Sequence, residues 1–169
     1  AEGQGFSFRA FYLRRFFRLF PALLVTLLGT VVAAWWLASP GQYQGLAKSA
    51  VASLFGFSNF YFWTTIDYFS ASAFDHPLLH TWSLGVEEQF YLIWPALLVL
   101  AHRGSRYSQA LIVVVIVASL ALIAVFQSEA PEAAFYLMPF RMFEFAIGAG
   151  VVAVERDWRP KAGLWTEMG

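Results

Sequence analysis

Three short blocks hold most of the residues able to do chemistry. The first is FYLRRFFRLFP, residues 11–21. On a helix Arg14 and Arg18 stand four apart and Arg15 and Arg18 three apart, so the three guanidiniums share one side. Such a cluster can grip phosphate oxygens in bidentate fashion. It can equally be a basic flank resting on anionic lipid headgroups. The second block is DHPLLHTWSLGVEEQFY, residues 75–91, in which His80, Ser83, Glu87, Glu88 and Gln89 open an apolar run. A helix starting near Ser83 would be capped by that serine, with Glu87 near its positive dipole end and Glu87 and Tyr91 on one face. A catalytic triad is a matter of geometry, and this spacing has no nucleophile elbow. One functional carboxylate, Glu87, is therefore the better candidate, with His80 as a second candidate base. A carboxylate at the edge of hydrocarbon is costly unless it is used or paired. The third block is PFRMFEFAIG, residues 139–148, where Arg141 and Glu144 stand three apart and can pair. That pair is either a structural ion pair or the lining of a substrate path. Gly148 and Gly150, after Ala146, would let another helix approach closely.

These blocks need a membrane to position them. The 169 residues are 59% hydrophobic and only 13% charged, about half the charge of a soluble domain. That excludes a disordered chain, a nucleic-acid-binding domain and an ordinary soluble enzyme core. The net charge of zero points to no polyanionic partner. With no cysteine, disulfides, cysteine-bound zinc and thiol nucleophiles are excluded. His76, His80 and His102 are too scattered for a metal site, so none is expected.

Five apolar runs can be read. Leu19–Ser39 has 21 residues without a charge, ~30 Å as a helix and enough to cross hydrocarbon, and it ends in the interfacial pair Trp35 and Trp36. Leu46–Trp63 is weaker, interrupted by Lys48, Ser49, Ser53, Ser58 and Asn59. Val86–Ala101 contains Pro95, which should kink it or mark its first apolar turns. Ala110–Phe126 is uncharged throughout, and Phe135–Val154 carries Arg141 and Glu144. Pro40–Gly41 is the clearest turn signal. The arginines at 9, 14, 15 and 18, those at 103 and 106, and the tail with Arg156, Arg159 and Lys161 are placed in the cytoplasm. The loop at 40–45 and the stretch Thr64–Leu84, with Asp67 and Asp75 and no Lys or Arg, are placed outside, as is the loop at 127–134. Lys48, on the outer side, reads as a snorkelling anchor. This assignment leaves Leu46–Trp63 unable to cross; it must return to the side it left. The fold expected is an all-α polytopic membrane helix bundle of about four spanning helices plus one re-entrant or interfacial segment.

Taken together, FYLRRFFRLFPALL, SNFYFW, HPLLHTWSLGVEEQFYLIWPALL and FYLMPFRMFEFAIGA resemble the membrane-bound acyltransferase 3 family, which modifies bacterial surface glycans. The similarity runs in family order from residue 6 to 153, with residues 157–169 a polar cytoplasmic tail. The resemblance implies an O-acyltransferase of the bacterial inner membrane. It would take an acyl group, typically acetyl, from cytoplasmic acyl-CoA as co-substrate, with no bound cofactor. The acceptor would be a hydroxyl of an exported glycan such as lipopolysaccharide O-antigen or peptidoglycan. It further implies that Arg14, Arg15 and Arg18 hold the donor's phosphates, that Trp82, Ser83, Glu87 and Tyr91 form the central motif, and that Arg141 and Glu144 form the later helix motif. The family's first helix, with an arginine and a histidine base some ten residues on, has no counterpart here, nor does its serine-glycine-phenylalanine-leucine segment. The chain therefore reads as an internal part of such a domain, expected not to catalyse transfer alone. An export channel for a glycan or lipid, or a structural membrane subunit, are the other classes these residues allow. A reporter enzyme fused near Phe69 is expected to give only an extracytoplasmic signal; a cytoplasmic signal would rule out the re-entrant segment.

Overall fold

Proline positions and the lack of water in hydrocarbon decide where the helices of this chain start and stop. The computed structural model describes residues 7–65, 76–101 and 105–157. They form helices α1 (Phe8–Leu37), α2 (Pro40–Leu54), α3 (Ser58–Thr65), α4 (Thr81–Ala101), α5 (Ser105–Phe126), α6 (Pro131–Tyr136) and α7 (Met138–Asp157). There is no strand among the described residues, and the protein is all-α. Among the same residues, three helical stretches are long and apolar enough to cross a membrane: Phe8–Leu37, Gln109–Phe126 and Pro131–Val152. Val25, Val32 and Trp36 on α1 and Val113, Val114 and Val117 on α5 lie exposed, as side chains facing lipid do. The 21 residues of α4 would also reach across ~30 Å of hydrocarbon. Asp67, Asp75, Arg103, Arg159 and Lys161, used above to assign sides, lie outside the described residues, as does His102.

The first helix is longer than the uncharged run suggests. It begins at Phe8, where the Ser7 hydroxyl accepts the Ala10 N–H at 3.3 Å, and takes in the whole arginine block. Its end is dictated by Pro40. The residue before a proline is pushed to extended backbone, and Ser39 has φ −67° and ψ 159°. Pro40–Gly41 is consequently not the loop expected from sequence. Proline fits the first helical position, whose N–H would be unpaired anyway, so 40–45 are the first turns of α2 and the connection is only Ala38–Ser39. The Gln42 side chain accepts the Ser39 N–H at 3.0 Å and closes this start.

Two compact units divide at Pro95, 1–95 and 96–169. In the first, α2 turns back along α1. Tyr43 meets the Trp35 ring edge-on at 5.6 Å near the end of α1, and Phe55 arrives beside Phe16 and Phe20 near its beginning. The run Leu46–Trp63 is broken there. Gly56 sits at φ +72°, its N–H bonds the Ser53 carbonyl at 3.2 Å, and the Phe57 N–H bonds the Ala52 carbonyl at 2.8 Å. These two bonds are a Schellman ending, which wants glycine at the left-handed position. The chain then reverses into α3, and Tyr61 donates back to the Gly45 carbonyl at 3.1 Å. The weak apolar run is therefore a helical hairpin with an elbow at 55–57.

In the second unit the expected run Phe135–Val154 is also broken, at Leu137 (φ −93°, ψ 138°). Pro139 causes this: it has no N–H, and its ring would strike the carbonyl one turn back, so it is accepted only in the first turn of α7. Ser119 of α5 is buried against that turn. Its hydroxyl is within 2.9 Å of the Pro139 carbonyl and 3.0 Å of the Phe140 carbonyl, and it accepts the Phe143 N–H at 3.3 Å. Gly150 does face α5, since a Cβ there would lie 3.6 Å from Ile112, whereas nothing lies within 4 Å of Gly148.

Gly56→Ala is expected to lower stability by about 1–2 kcal/mol through its left-handed backbone, read as a lower midpoint of thermal unfolding in detergent. Gly148→Ala, in open space within α7, should not lower that midpoint and is expected to raise it slightly.

Candidate functional site

Polar side chains buried in a membrane protein must satisfy one another, because hydrocarbon offers no partner. Three of the polar residues that weaken Leu46–Trp63, namely Ser53, Ser58 and Asn59, do this with one face of α4. Thr81, Gly85 and Gln89 recur every fourth residue and look at the elbow. The Ser53 and Thr81 hydroxyls are 2.7 Å apart, and Ser58 donates to the Thr81 carbonyl at 2.7 Å. Gly85 lets the backbones close up: a Cβ there would be 3.0 Å from Asn59 Oδ1 and 3.2 Å from the Gly56 carbonyl. Gln89 donates to the Gly56 carbonyl at 3.1 Å and to Asn59 Oδ1 at 2.8 Å, and Asn59 donates back to Gln89 Oε1 at 3.4 Å. Ser53, Ser58, Asn59 and Thr81 are all buried.

This latch shapes a cavity of about 400 Å³ between α1, the elbow and α4. Phe16, Leu19, Phe20, Phe55 and Phe57 supply apolar walls; Tyr12, Arg15, Glu88, Gln89 and Tyr91 supply polar atoms. Arg15 lies over the Tyr91 ring, 3.8 Å from guanidinium carbon to ring centre, a close cation–π contact. The Tyr91 hydroxyl donates to Glu87 Oε2 at 3.4 Å, and the Tyr12 hydroxyl donates to the Leu92 carbonyl at 3.0 Å. The arginine block and the EEQ block, far apart in sequence, thus meet through Tyr91.

The residues singled out from sequence are placed as follows. Arg15 lines the cavity and is partly buried, whereas Arg14 and Arg18 are exposed and do not line it. Glu87 and Tyr91 share a face as expected and touch. The carboxylate on the cavity wall, however, belongs to the neighbouring Glu88. Ser83 is not the cap of α4. The helix starts at Thr81, so Ser83 is inside the first turn, where its hydroxyl donates to the His80 carbonyl at 3.1 Å. Trp82 is buried, and His80 is exposed in the turn before α4 and does not line the cavity. In the second unit Arg141 and Glu144 form the expected pair at 2.9 Å, with the Arg141 guanidinium 5.7 Å from the Phe135 ring centre. The sequence shows Asn59 and Gln89 as polar residues in or before apolar runs but does not pair them, and it gives no sign of the role of Gly56.

The family model described as "Acyltransferase domain" matches residues 3–166, nearly the whole chain. This chain belongs to that acyltransferase family. Peptidoglycan O-acetyltransferase OatA of Listeria monocytogenes is 35% identical over 116 residues, covering 68% of this chain and 18% of OatA. Putative peptidoglycan O-acetyltransferase YrhL of Bacillus subtilis is 32% identical over 155 residues, 88% of this chain and 24% of YrhL. Putative membrane-bound transacylase BcsY of Komagataeibacter xylinus is 31% identical over 153 residues, 90% of this chain and 39% of BcsY. The chain thus spans well under half the length of these curated relatives. No solved structure matches it.

Replacing Asn59 or Gln89 singly by leucine strands the other amide in an apolar surrounding, and each single variant is expected to unfold at lower temperature. The double variant should recover part of the loss, giving a coupling of about 0.5–2 kcal/mol. Additive losses in the cycle would show that the two amides do not act as a pair.

Proposed function

We propose that this acyltransferase-family chain is the donor-receiving part of a membrane O-acyltransferase, one that moves an acetyl group from cytoplasmic acyl-CoA to a hydroxyl of an exported glycan such as peptidoglycan. In that reaction the thioester C–S bond breaks, an ester C–O bond forms, the hydroxyl proton passes to a base and the thiol leaves. The observation that carries the reading is the cavity in which the arginine block and the EEQ block converge on Tyr91. Its support from relatives is that OatA and YrhL are named for peptidoglycan O-acetylation and BcsY for transacylation.

Each residue then has a task. Arg14 and Arg18, exposed beside the cavity, meet the donor's phosphates as charge-assisted donors. Arg15, held over the Tyr91 ring, stands at the cavity. Glu87 is the functional carboxylate through its bond to the Tyr91 hydroxyl, which keeps that ring under the guanidinium. The start of α1 and the polar tail lie in the cytoplasm of the bacterial cell, and the hairpin α2–α3 enters from the outer side and returns to it. The supports for this topology are the basic flank of α1 and a 15-residue α2, ~22 Å long and short of a full crossing. Polar residues at hairpin depth are tolerated because protein surrounds them. Arg141 and Glu144 neutralise each other within α7, which lowers the cost of carrying them in a span.

In the complete protein carrying this domain, Arg15→Met at unchanged abundance is expected to lower glycan O-acetylation about tenfold to a hundredfold, measured as acetate released by mild base. Unaltered acetate release would remove Arg15 from the site. The absence of native cysteine in the chain makes the topology equally testable. Gly41→Cys should react with an impermeant maleimide on intact cells and Ser7→Cys only after lysis; the opposite pattern would invert the orientation.

A further inference from the structure

The first unit has a second space, toward the other end of α1. Gly41, Gly45 and Ser49, four residues apart along α2, border a cavity of about 310 Å³ together with His76. It adjoins a space of about 450 Å³ along the last turns of α1, where Gly29 and Thr30 stand, and Gln42, Leu46 and Pro77 line both. The five described glycines of this unit fall into two groups. Gly56 serves a left-handed turn and Gly85 a close approach of backbones. A Cβ at Gly29, Gly41 or Gly45 would meet nothing within 4 Å, and all three border this crevice. Glycine is among the costliest residues in a helix interior, and no contact of Gly29 or Gly45 calls for it. What their missing side chains leave is the crevice itself.

Among the described residues, none lining the crevice bears a carboxylate, an ammonium or a guanidinium. Hydrogen-bonding capacity is nevertheless present. Gln42 Oε1 accepts from Ser39, while the Gln42 amide N–H groups have no partner among the described residues. Ser49, 2% exposed, donates to the Leu46 carbonyl at 2.8 Å and keeps its lone pairs. His76 meets the buried Phe62 ring edge-on at 6.5 Å and has no hydrogen bond among the described residues. A neutral imidazole there offers one donor and one acceptor. A phosphate or carboxylate finds no guanidinium or ammonium here, and an acyl chain would strand these polar groups. A neutral polyol fits, since its hydroxyls both give and take hydrogen bonds, and the volume is that of a small-ligand cleft. We propose that this crevice is an acceptor subsite holding an uncharged sugar unit of the exported glycan, with Gln42 donating to its hydroxyls, Ser49 accepting from them and His76 doing either. The proposal rests on the outward placement of the start of α2 given above and extends that reading. Steps of three and four along α1 lead from Phe16 and Phe20 at the donor cavity, through buried Leu23 and Leu27, to Thr30 and Ala34 here. Phe16 to Thr30 is ~21 Å of helix, so the subsite holds the glycan and is not where the ester forms.

The test uses the complete protein carrying this domain, in detergent, with two neutral probes, maltotriose and triacetylchitotriose, and with coenzyme A in parallel, each titrated by calorimetry. At least one saccharide should bind. Gly45→Leu, which fills the crevice, should abolish that binding without lowering the thermal midpoint, because leucine is the better helix former. Gln42→Ala and His76→Ala should each weaken it about threefold to tenfold, and His76→Asn, which keeps a donor and an acceptor, should retain most of it. All four variants should bind coenzyme A as the unsubstituted protein does, which also shows that they are folded. If coenzyme A binds and neither saccharide does, the subsite proposal fails and the donor reading stands. If a saccharide binds but the variants leave its affinity unchanged, the sugar sits elsewhere and the proposal is overturned. A lower thermal midpoint in Gly45→Leu with saccharide affinity intact would make the crevice a packing surface for another segment, and would overturn it too. Saccharide binding that responds to these variants without any coenzyme A binding would sink the donor reading and leave the subsite standing.

Discussion

Inside a bilayer, a polar atom that leaves the surface must find its partner in the protein, and the first unit is built around that demand. Two helices that are each too short to cross are held against α4 because Ser53, Ser58 and Asn59 spend their hydrogen bonds on Thr81 and Gln89. Remove water as a competitor and such bonds become the adhesive between helices that apolar contacts, equally content with lipid, cannot be. Gly85 permits the backbones to come near enough for the bonds to form, and Gly56 permits the chain to reverse within reach of Gln89.

The same demand makes its exceptions informative. A latch that satisfies Asn59 and Gln89 on both sides stands next to an Arg15 Nε–H and a Glu88 carboxylate that are not satisfied. An unsatisfied buried group in a fold that otherwise matches its polar atoms is an exception, and the donor site proposed above gives it a use. Cation–π contact with Tyr91 holds the Arg15 plane without consuming its N–H groups, so the side chain is fixed yet still has hydrogen-bonding capacity. Rigid placement of a charged donor is what a binding site needs, since little ordering remains to be done when the ligand arrives.

The second unit solves its polar problem separately. Pro139 breaks the helix at Leu137, and Ser119 of α5 meets the carbonyls and N–H of the turn that follows. Arg141 and Glu144 lie on one side of α7 at three-residue spacing and neutralise each other within it. Both units thus put small polar residues, serine above all, where proline or glycine has interrupted a helix.

Periodicity, charge bias and block order were enough to establish from the chain alone that it is an all-α membrane protein, that it resembles the acyltransferase family, and that Glu87 faces Tyr91 and Arg141 faces Glu144. These are local properties: a contact three or four residues apart on a helix follows from helical rise and nothing else. The weakness of Leu46–Trp63 was legible too, as polar residues in an apolar run. Which face those residues turned, and toward what, was not, because a pairing such as Asn59 with Gln89 spans a chain reversal that no short-range rule encodes. The same holds for the choice between Glu87 and Glu88. Adjacent residues point about 100° apart on a helix, and only the packing of α1 and the elbow against α4 determines which of the two carboxylates lines the cavity. Pro40 and Pro139 were misjudged or passed over for a related reason: proline marks a boundary, but whether it closes one helix or opens the next depends on the neighbours that take up the freed backbone groups.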